Sequence, residues 1–294
     1  MARYLPELYA LTTLLFLSAQ VLIIRAGNPH YSAYSASQIM TWGNLLLLGG
    51  YGLWTEPLGS FTVPAVLFYA GSGVFGYALS RTALYLGYER VGAARTTAVH
   101  GSTPLLSALM AVFLLGEEAG FWVFLGTAGI VAGVWLITAE RSGGEWRRRD
   151  ILIPLAAAAG TAFSMICRKK GLLIVDAPAM GTAISCLTAA LLLPGFWKYL
   201  PRMEGIRLGR RGWVFLAPAA LVNSIGQFTL MRSLLTAGVA YTVPIYAASP
   251  LVVLVLAAIF MRQHERLTVR LAWAVLLTVA GAGLIALARH GLLG

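Results

Sequence analysis

Hydrophobic positions in this chain fall into long unbroken blocks, separated by short stretches of charge, glycine and proline. A helix needs about 20 mainly apolar residues to cross a hydrocarbon layer roughly 30 Å thick. Ten blocks meet that length. The first five lie at about 8–24, 33–54, 63–86, 91–115 and 120–139, and the second five at about 151–167, 178–197, 212–235, 239–260 and 268–288. Between the two sets runs a polar stretch from Glu140 to Asp150 containing Gly143-Gly144 and several arginines. The first block could mimic a secretory signal, but no small-x-small cleavage site follows Arg25 and nine further blocks do, so it reads as a helix.

Composition supports the same reading. The chain of 294 residues is 59% hydrophobic and only 11% charged, with a mean hydropathy of +0.77. Average soluble chains are about 25% charged, and a water-soluble body with this composition would expose aggregating apolar patches. Disorder is excluded on the same grounds. The formal charge of +11 would suggest a nucleic-acid partner only if it formed a stripe on one folded face. Instead the cations sit in short runs between apolar blocks, as at Arg147-Arg148-Arg149 and Arg168-Lys169-Lys170, and these runs read as charge flanking the membrane. Nucleic acid is therefore not an expected partner; the lipid bilayer is. Cys167 and Cys186 have neither metal-ligand nor CxxC spacing and read as small buried side chains.

Two sets of five blocks invite comparison with each other, because many carriers are built from two copies of one bundle. An offset of 146 residues aligns Leu84 with Leu230, Gly92 with Gly238, Thr96 with Thr242, Pro104 with Pro250 and Ala111 with Ala257. After a shift of two, Glu117 aligns with Glu265 and Ala132-Gly133 with Ala280-Gly281. The matches are collinear and include a mid-span proline and a loop glutamate, which an apolar composition alone would rarely align. Five is odd, so the second copy enters the membrane from the opposite side. The expected fold is an all-α polytopic membrane protein of ten transmembrane helices in two inverted five-helix repeats. Residues 1–140 form the first repeat, 141–150 a linker and 151–294 the second repeat.

The stretch from Ala83-Leu84-Tyr85 through Thr103-Pro104-Leu105 to Leu115-Gly116-Glu117, with the glycine-rich fifth block ending Ala132-Gly133-Val134-Trp135-Leu136-Ile137, resembles the drug/metabolite transporter superfamily in its ten-helix EamA-like branch. The likeness spans nearly the whole chain in two copies, although the second has His264-Glu265 where the family usually shows Gly-Glu. It implies secondary transport of a small molecule by alternating access, through a central cavity lined by spans one, three, four, six, eight and nine. It also implies a multi-pass protein of the plasma membrane, or of the inner membrane in a bacterium. It does not specify a substrate, an oligomeric state or a coupling ion.

The residues themselves suggest where chemistry would sit. Pro104 and Pro250 lie mid-span, and each removes a hydrogen bond to the carbonyl four residues earlier, at His100 and Tyr246. In hydrocarbon such carbonyls must face protein or a wet cavity, and interrupted helices at matching repeat positions point to a midplane site. The alternative is that both prolines only bend packed helices, with Ser102, Thr103 and Ser249 satisfying the backbone. The repeat also aligns Arg81 with Gln227, with Tyr77 and Asn223 each one turn earlier on the same faces. An arginine inside a span costs about 2.5 to 3.5 kcal/mol on the lenient insertion scale, so Arg81 either faces a cavity, or snorkels to the interface or pairs with Glu89.

 Arg95, near the start of span four, reads either as a cavity residue or as an interfacial anchor.

All 11 carboxylates fall in loops or at span ends, so no acid is expected at mid-depth. An exporter of organic cations would be expected to bury one. With Arg81, Arg95, His100, Asn223, Gln227 and Tyr246 as the polar inventory, a carboxylate- or phosphate-bearing substrate or a zwitterion fits better, an amino acid or organic anion among them. The candidate substrate-binding residues are Tyr77, Arg81, His100, Asn223, Gln227 and Tyr246, with Pro104 and Pro250 as cavity-lining kinks. His100 is the mid-span group that titrates near neutral pH, which makes it the candidate for proton coupling; the competing reading is a neutral, hydrogen-bonding imidazole. Trp42, Tyr69, Tyr85 and Tyr241 offer further aromatic surface or belong to the interfacial belt.

Other patterns carry less. Gly71-Ser72-Gly73-Val74-Phe75-Gly76 satisfies GxGxxG, but it lies inside an apolar block with no preceding strand, so close helix packing explains it. Gly129 and Gly133 make a GxxxG face for the same reason. No Walker loop, HExxH or Gly-x-Ser-x-Gly occurs, and no nucleophile, metal cluster or buried acid-base pair argues for a membrane enzyme or a cofactor. A flippase for a lipid-linked sugar is the alternative transport reading. Most of the 22 Lys and Arg fall on the side of loops one-two, three-four, five-six, seven-eight and nine-ten, which by the positive-inside rule places both termini outside. The family resemblance implies cytoplasmic termini.

Overall fold

The computed structural model describes residues 4–27, 30–138, 148–196, 208–260 and 269–289. The linker around Gly143-Gly144, Arg147, and the His264-Glu265 pair lie outside the described residues, as do the side chains of Tyr85 and Glu89. Ten membrane-spanning helical units account for the architecture. They are α1 (Leu5–Gly27), α2 (Ala33–Thr55), α3 (63–90), α4 (93–115), α5 (Phe121–Thr138), α6 (Leu152–Ile174), α7 (Pro178–Phe196), α8 (Gly212–Ala237), α9 (239–260) and α10 (Val269–Arg289). Nine of the ten follow the hydrophobic blocks to within a few residues at either end.

Three units are not regular helices. Between Val63–Ser72 and Arg81–Arg90, α3 passes through a π-helical stretch at Gly73–Ser80. The span α4 is broken into Ala93–His100 and Thr103–Leu115, and α9 into Val239–Ala247 and Ser249–Phe260. Pro104 and Pro250 stand at the starts of the second halves, where a missing N–H costs nothing because the first helical turn has no acceptor for it. Both prolines therefore mark interruptions of the helix and not bends within it. Each broken span begins after a glycine with positive φ, Gly92 (93°) and Gly238 (86°), a conformation closed to most side chains.

The outer surface is apolar: Trp54 is 94% exposed and Phe113 81%, with Leu46, Leu191 and Val214 also well exposed. Side chains of this kind are stable facing lipid and would be a liability facing water. Inside, the pattern is inverted. Hydroxyls and amides pair between helices, as in Thr13 with Thr229 (3.0 Å), Ser72 with Ser185 (2.6 Å) and Ser233 with Thr242 (2.9 Å). Without a hydrophobic drive between helices in lipid, such bonds and close backbone approach hold the bundle. Glycine provides that approach where α5 meets α10: a Cβ built on Gly126 would lie 2.5 Å from the Gly281 carbonyl oxygen, and Gly133 packs directly against Thr278. The Gly73 and Gly76 of the GxGxxG pattern likewise lie against Ser185 and Ser164. Cys167 and Cys186 are free and buried.

One block was misjudged by its charge. Arg168-Lys169-Lys170 does not flank the membrane, because α6 continues to Ile174 and buries Arg168 (3% exposed) and Lys169 (8%) inside the bundle. The apolar run Gly171-Leu172-Leu173-Ile174-Val175 beyond the cations is what carries the helix on.

Candidate functional site

Two broken helices meeting at mid-depth leave room between them. A cavity of about 820 Å³ lies there, lined from both halves of the chain by α1, α2, α3, α4, α5, α6, α8 and α9. Gly101, Thr103 and Pro104 line it from the break in α4, and Ala247, Ser249 and Pro250 from the break in α9. At the first break, Thr103 Oγ1 donates to the carbonyl of His100 at 2.6 Å and Ser102 Oγ to that of Val99 at 2.7 Å. At the second, Ser18 Oγ of α1 donates to Ser249 Oγ at 3.1 Å. The hydroxyls beside Pro104 thus satisfy backbone carbonyls at the first break, Ser18 Oγ also reaches the Ser249 carbonyl at 3.4 Å at the second, and both breaks face the cavity.

All eight candidate residues border this cavity: Tyr77, Arg81, His100, Asn223, Gln227 and Tyr246, with Pro104 and Pro250. Arg81 directly follows the π-helical stretch of α3, a kind of irregularity that recurs at functional sites. Its Nη1 donates to Ser37 Oγ and, at 3.4 Å, to Thr41 Oγ1, both on α2, and its guanidinium lies 5.2 Å from the centre of the Tyr77 ring. These contacts hold the Arg81 guanidinium against α2 at the cavity wall. His100 ends the first half of α4, with Nε2 3.2 Å from Thr161 Oγ1 on α6. Asn223 donates from Nδ2 to Asn44 Oδ1 at 3.1 Å, and Ser224 Oγ donates to the same oxygen at 2.9 Å. Gln227 Oε1 accepts from Tyr77 Oη at 3.4 Å.

Of the other aromatic candidates, Tyr69 is fully buried, away from the cavity, with its hydroxyl donating to the Val175 carbonyl at 2.9 Å. Trp42 lies on the exposed outer surface. Tyr241 packs beneath Arg289, whose guanidinium lies 4.5 Å from its ring centre, at the opposite face of the bundle. Arg95 is half-buried in the first turn of α4 and does not line the cavity.

Sequence reasoning missed Arg168. Its Nη1 donates to Gln227 Oε1 at 2.9 Å, and its guanidinium lies 5.3 Å from the centre of the Tyr77 ring. It also missed Asn44, Ser37 and Thr41, three polar residues of α2 that a single-helix reading treats as tolerated neutral groups. No carboxylate lines the cavity among the described residues.

The cavity extends toward Ile24, Tyr31 and Tyr88, at the face where α1 meets α2 and α3 meets α4. The opposite face carries polar contacts between helix ends. There Glu117 accepts from the backbone N–H of Val239 (2.8 Å) and Ala240 (2.9 Å), capping the start of α9, and Lys169 Nζ donates to the carbonyls of Leu234 (2.7 Å) and Leu235 (2.9 Å) at the end of α8. Charge and helix dipole agree at both contacts. Arg289 adds an ion pair with Glu7 at 3.5 Å.

The family model of the EamA-like transporters matches residues 5–139 and again residues 148–287. The chain belongs to the EamA-like transporter family. A solved structure described only as a crystal structure of a protein superposes with a TM-score of 0.79 over 98% of this chain and 99% of that one, at 18% identity, which shows a shared fold. None of the curated proteins matches. This EamA-like chain is accordingly a multi-pass membrane protein of a transporter family, built from two repeats.

Proposed function

We propose that this protein is a secondary carrier that moves a small metabolite with a carboxylate or phosphate group, or a zwitterion such as an amino acid, by alternating access. The observation that carries this reading is the charge of the cavity: Arg81 lines it, and among the described residues no Asp or Glu does. A cation would meet repulsion and find no counter-charge, whereas an anion would find the guanidinium of Arg81 with the hydroxyls of Ser37 and Thr41 beside it. A volume of about 820 Å³ is in the range of small-molecule sites.

Tyr77, Arg81, His100, Asn223, Gln227 and Tyr246 are the proposed contacts. The proposed motion is a rocking of the two repeats about the breaks in α4 and α9, which releases the Glu117 and Lys169 contacts on one face and closes the other. Uptake into proteoliposomes of a panel of labelled amino acids, carboxylates, phosphate esters and organic cations tests this. Accumulation of at least one anionic or zwitterionic compound is expected, reduced about tenfold or more by Arg81→Gln through loss of charge-assisted hydrogen bonds. Transport of the organic cations alone would overturn the reading.

A further inference from the structure

Arg168 stands out among the buried groups. It sits well inside α6 at 3% exposure, and among the described residues no carboxylate forms an ion pair with it. Its Nε is buried with no hydrogen-bond partner. A cation in that state is expensive, and an apolar residue of the same volume would fill the space at lower cost. The structure supplies it with neutral partners, Gln227 Oε1 at 2.9 Å from Nη1 and the Tyr77 hydroxyl beside it. That Gln227 oxygen also accepts from Tyr77 Oη at 3.4 Å. A single amide oxygen thus takes two donors, one of them cationic, in the arrangement that a carboxylate or phosphate oxygen would satisfy more strongly. The unpartnered Nε belongs to the planar fork through which arginine grips such groups with two parallel bonds.

The repeats sharpen the contrast. At the offset that relates them, Gln227 is the counterpart of Arg81, and Arg168 is the counterpart of Leu22 in α1. The second half of the chain therefore adds a cation that the first half lacks, directly against the residue that replaces Arg81. Both guanidinium groups lie over the one Tyr77 ring, at 5.2 and 5.3 Å from its centre. Arg81 lines the cavity itself, while Arg168 lies behind Gln227 and Tyr77, which do.

Resting on the carrier reading above, we propose that Arg168 is the specificity-determining anchor for the anionic group of the substrate, and that a carboxylate or phosphate oxygen replaces Gln227 Oε1 on its guanidinium. Gln227 holds the guanidinium in place between substrates, and Arg81 receives the anion first, at the cavity wall. The alternative is a structural strut, in which Arg168 only ties α6 to α8 through Gln227.

Gln227→Glu tests whether the Arg168 guanidinium takes an anion here, because it places a tethered carboxylate where the substrate oxygen would bind, and the half-saturation concentration of Arg168→Lys separates anchor from strut. The apparent melting temperature of purified protein is measured for wild type, Q227E, R168M and the double variant, alongside proteoliposome uptake of succinate, L-glutamate and glycerol phosphate. The expected result is that Q227E melts higher than wild type, that this gain vanishes when Arg168 is replaced, and that Q227E and R168M each lose uptake by about tenfold or more. R168M is expected to fold, and Arg168→Lys to retain part of the uptake with a raised half-saturation concentration, which a strut would not show. Wild-type uptake that persists undiminished in folded R168M, or a Q227E melting temperature that does not depend on Arg168, overturns the anchor and leaves the carrier reading standing. A wild-type protein that moves none of the three anions, nor any other anion or zwitterion, overturns both.

Discussion

His100 and Thr161 join the two halves of the chain through one hydrogen bond at the end of a helix, 3.2 Å long, and the imidazole borders the cavity. Its role divides cleanly by substitution. His100→Gln keeps a hydrogen-bonding amide but cannot titrate, and His100→Ala removes both properties. If the imidazole acts as a neutral hydrogen-bonding group, H100Q retains uptake and its pH profile while H100A reduces uptake with expression largely intact. A pH profile that flattens in H100Q identifies proton coupling instead. Arg81 was legible in the sequence as an intramembrane charge at a repeat position. Arg168 was not, because three consecutive cations followed by a loop acid look like the end of a span, and only the packing of α6 against α8 shows the first two turned inward.

At the level of helices, two contacts set the expected energetics. The α5–α10 seam depends on side chains being absent, so Gly133→Leu should drive a branched side chain into Thr278 and the Ala274 backbone. Overpacking of this kind costs about 1–3 kcal/mol, and a lowered melting temperature of the purified variant checks it. The cap on α9 works the other way. Glu117→Gln keeps the size of the side chain but removes the charge that faces the α9 N-terminus, at a cost of about 1 kcal/mol. That loss falls on the Glu117 face alone, so it favours the state open toward Glu117. The break in α4 was readable from Pro104 and its match at Pro250. The π-helical stretch in α3 was not, since nothing in the local residues distinguishes it from an ordinary helix; the packing of Gly73 and Gly76 against α7 and α6 accompanies it.

For the molecule as a whole, alternation can be followed with thiol labelling, because both native cysteines are buried and give a quiet background. Thr97→Cys reports on the cavity, and Thr236→Cys on a second depression of about 560 Å³ at the opposite face, lined by Glu117, Lys169 and Arg289. In a Glu117→Gln background, labelling at 97 by an aqueous maleimide should fall and that at cavity residues approached from the Glu117 face should rise. Unchanged labelling would mean that the cap does not hold the Glu117 face closed. Orientation is a separate question. The surplus of Lys and Arg on the cavity-mouth side predicts that a cytoplasm-only reporter fused after Gly294 is silent, whereas the family resemblance predicts that it is active.

The sequence alone determined the number of spans, their repetition and, apart from the end of α6, their positions, because the length and polarity of each block are set by the thickness of the hydrocarbon layer and act locally. It also pointed to polar residues of α3, α4, α8 and α9 that border the cavity. Only the tertiary structure decided which of them meet. Whether a buried cation ends a span or enters a bundle depends on the acceptors that other helices bring, and for Arg168 those acceptors come from Gln227 on α8 and the Tyr77 ring on α3. Such partners are far apart in the chain, and no local pattern around residue 168 encodes them.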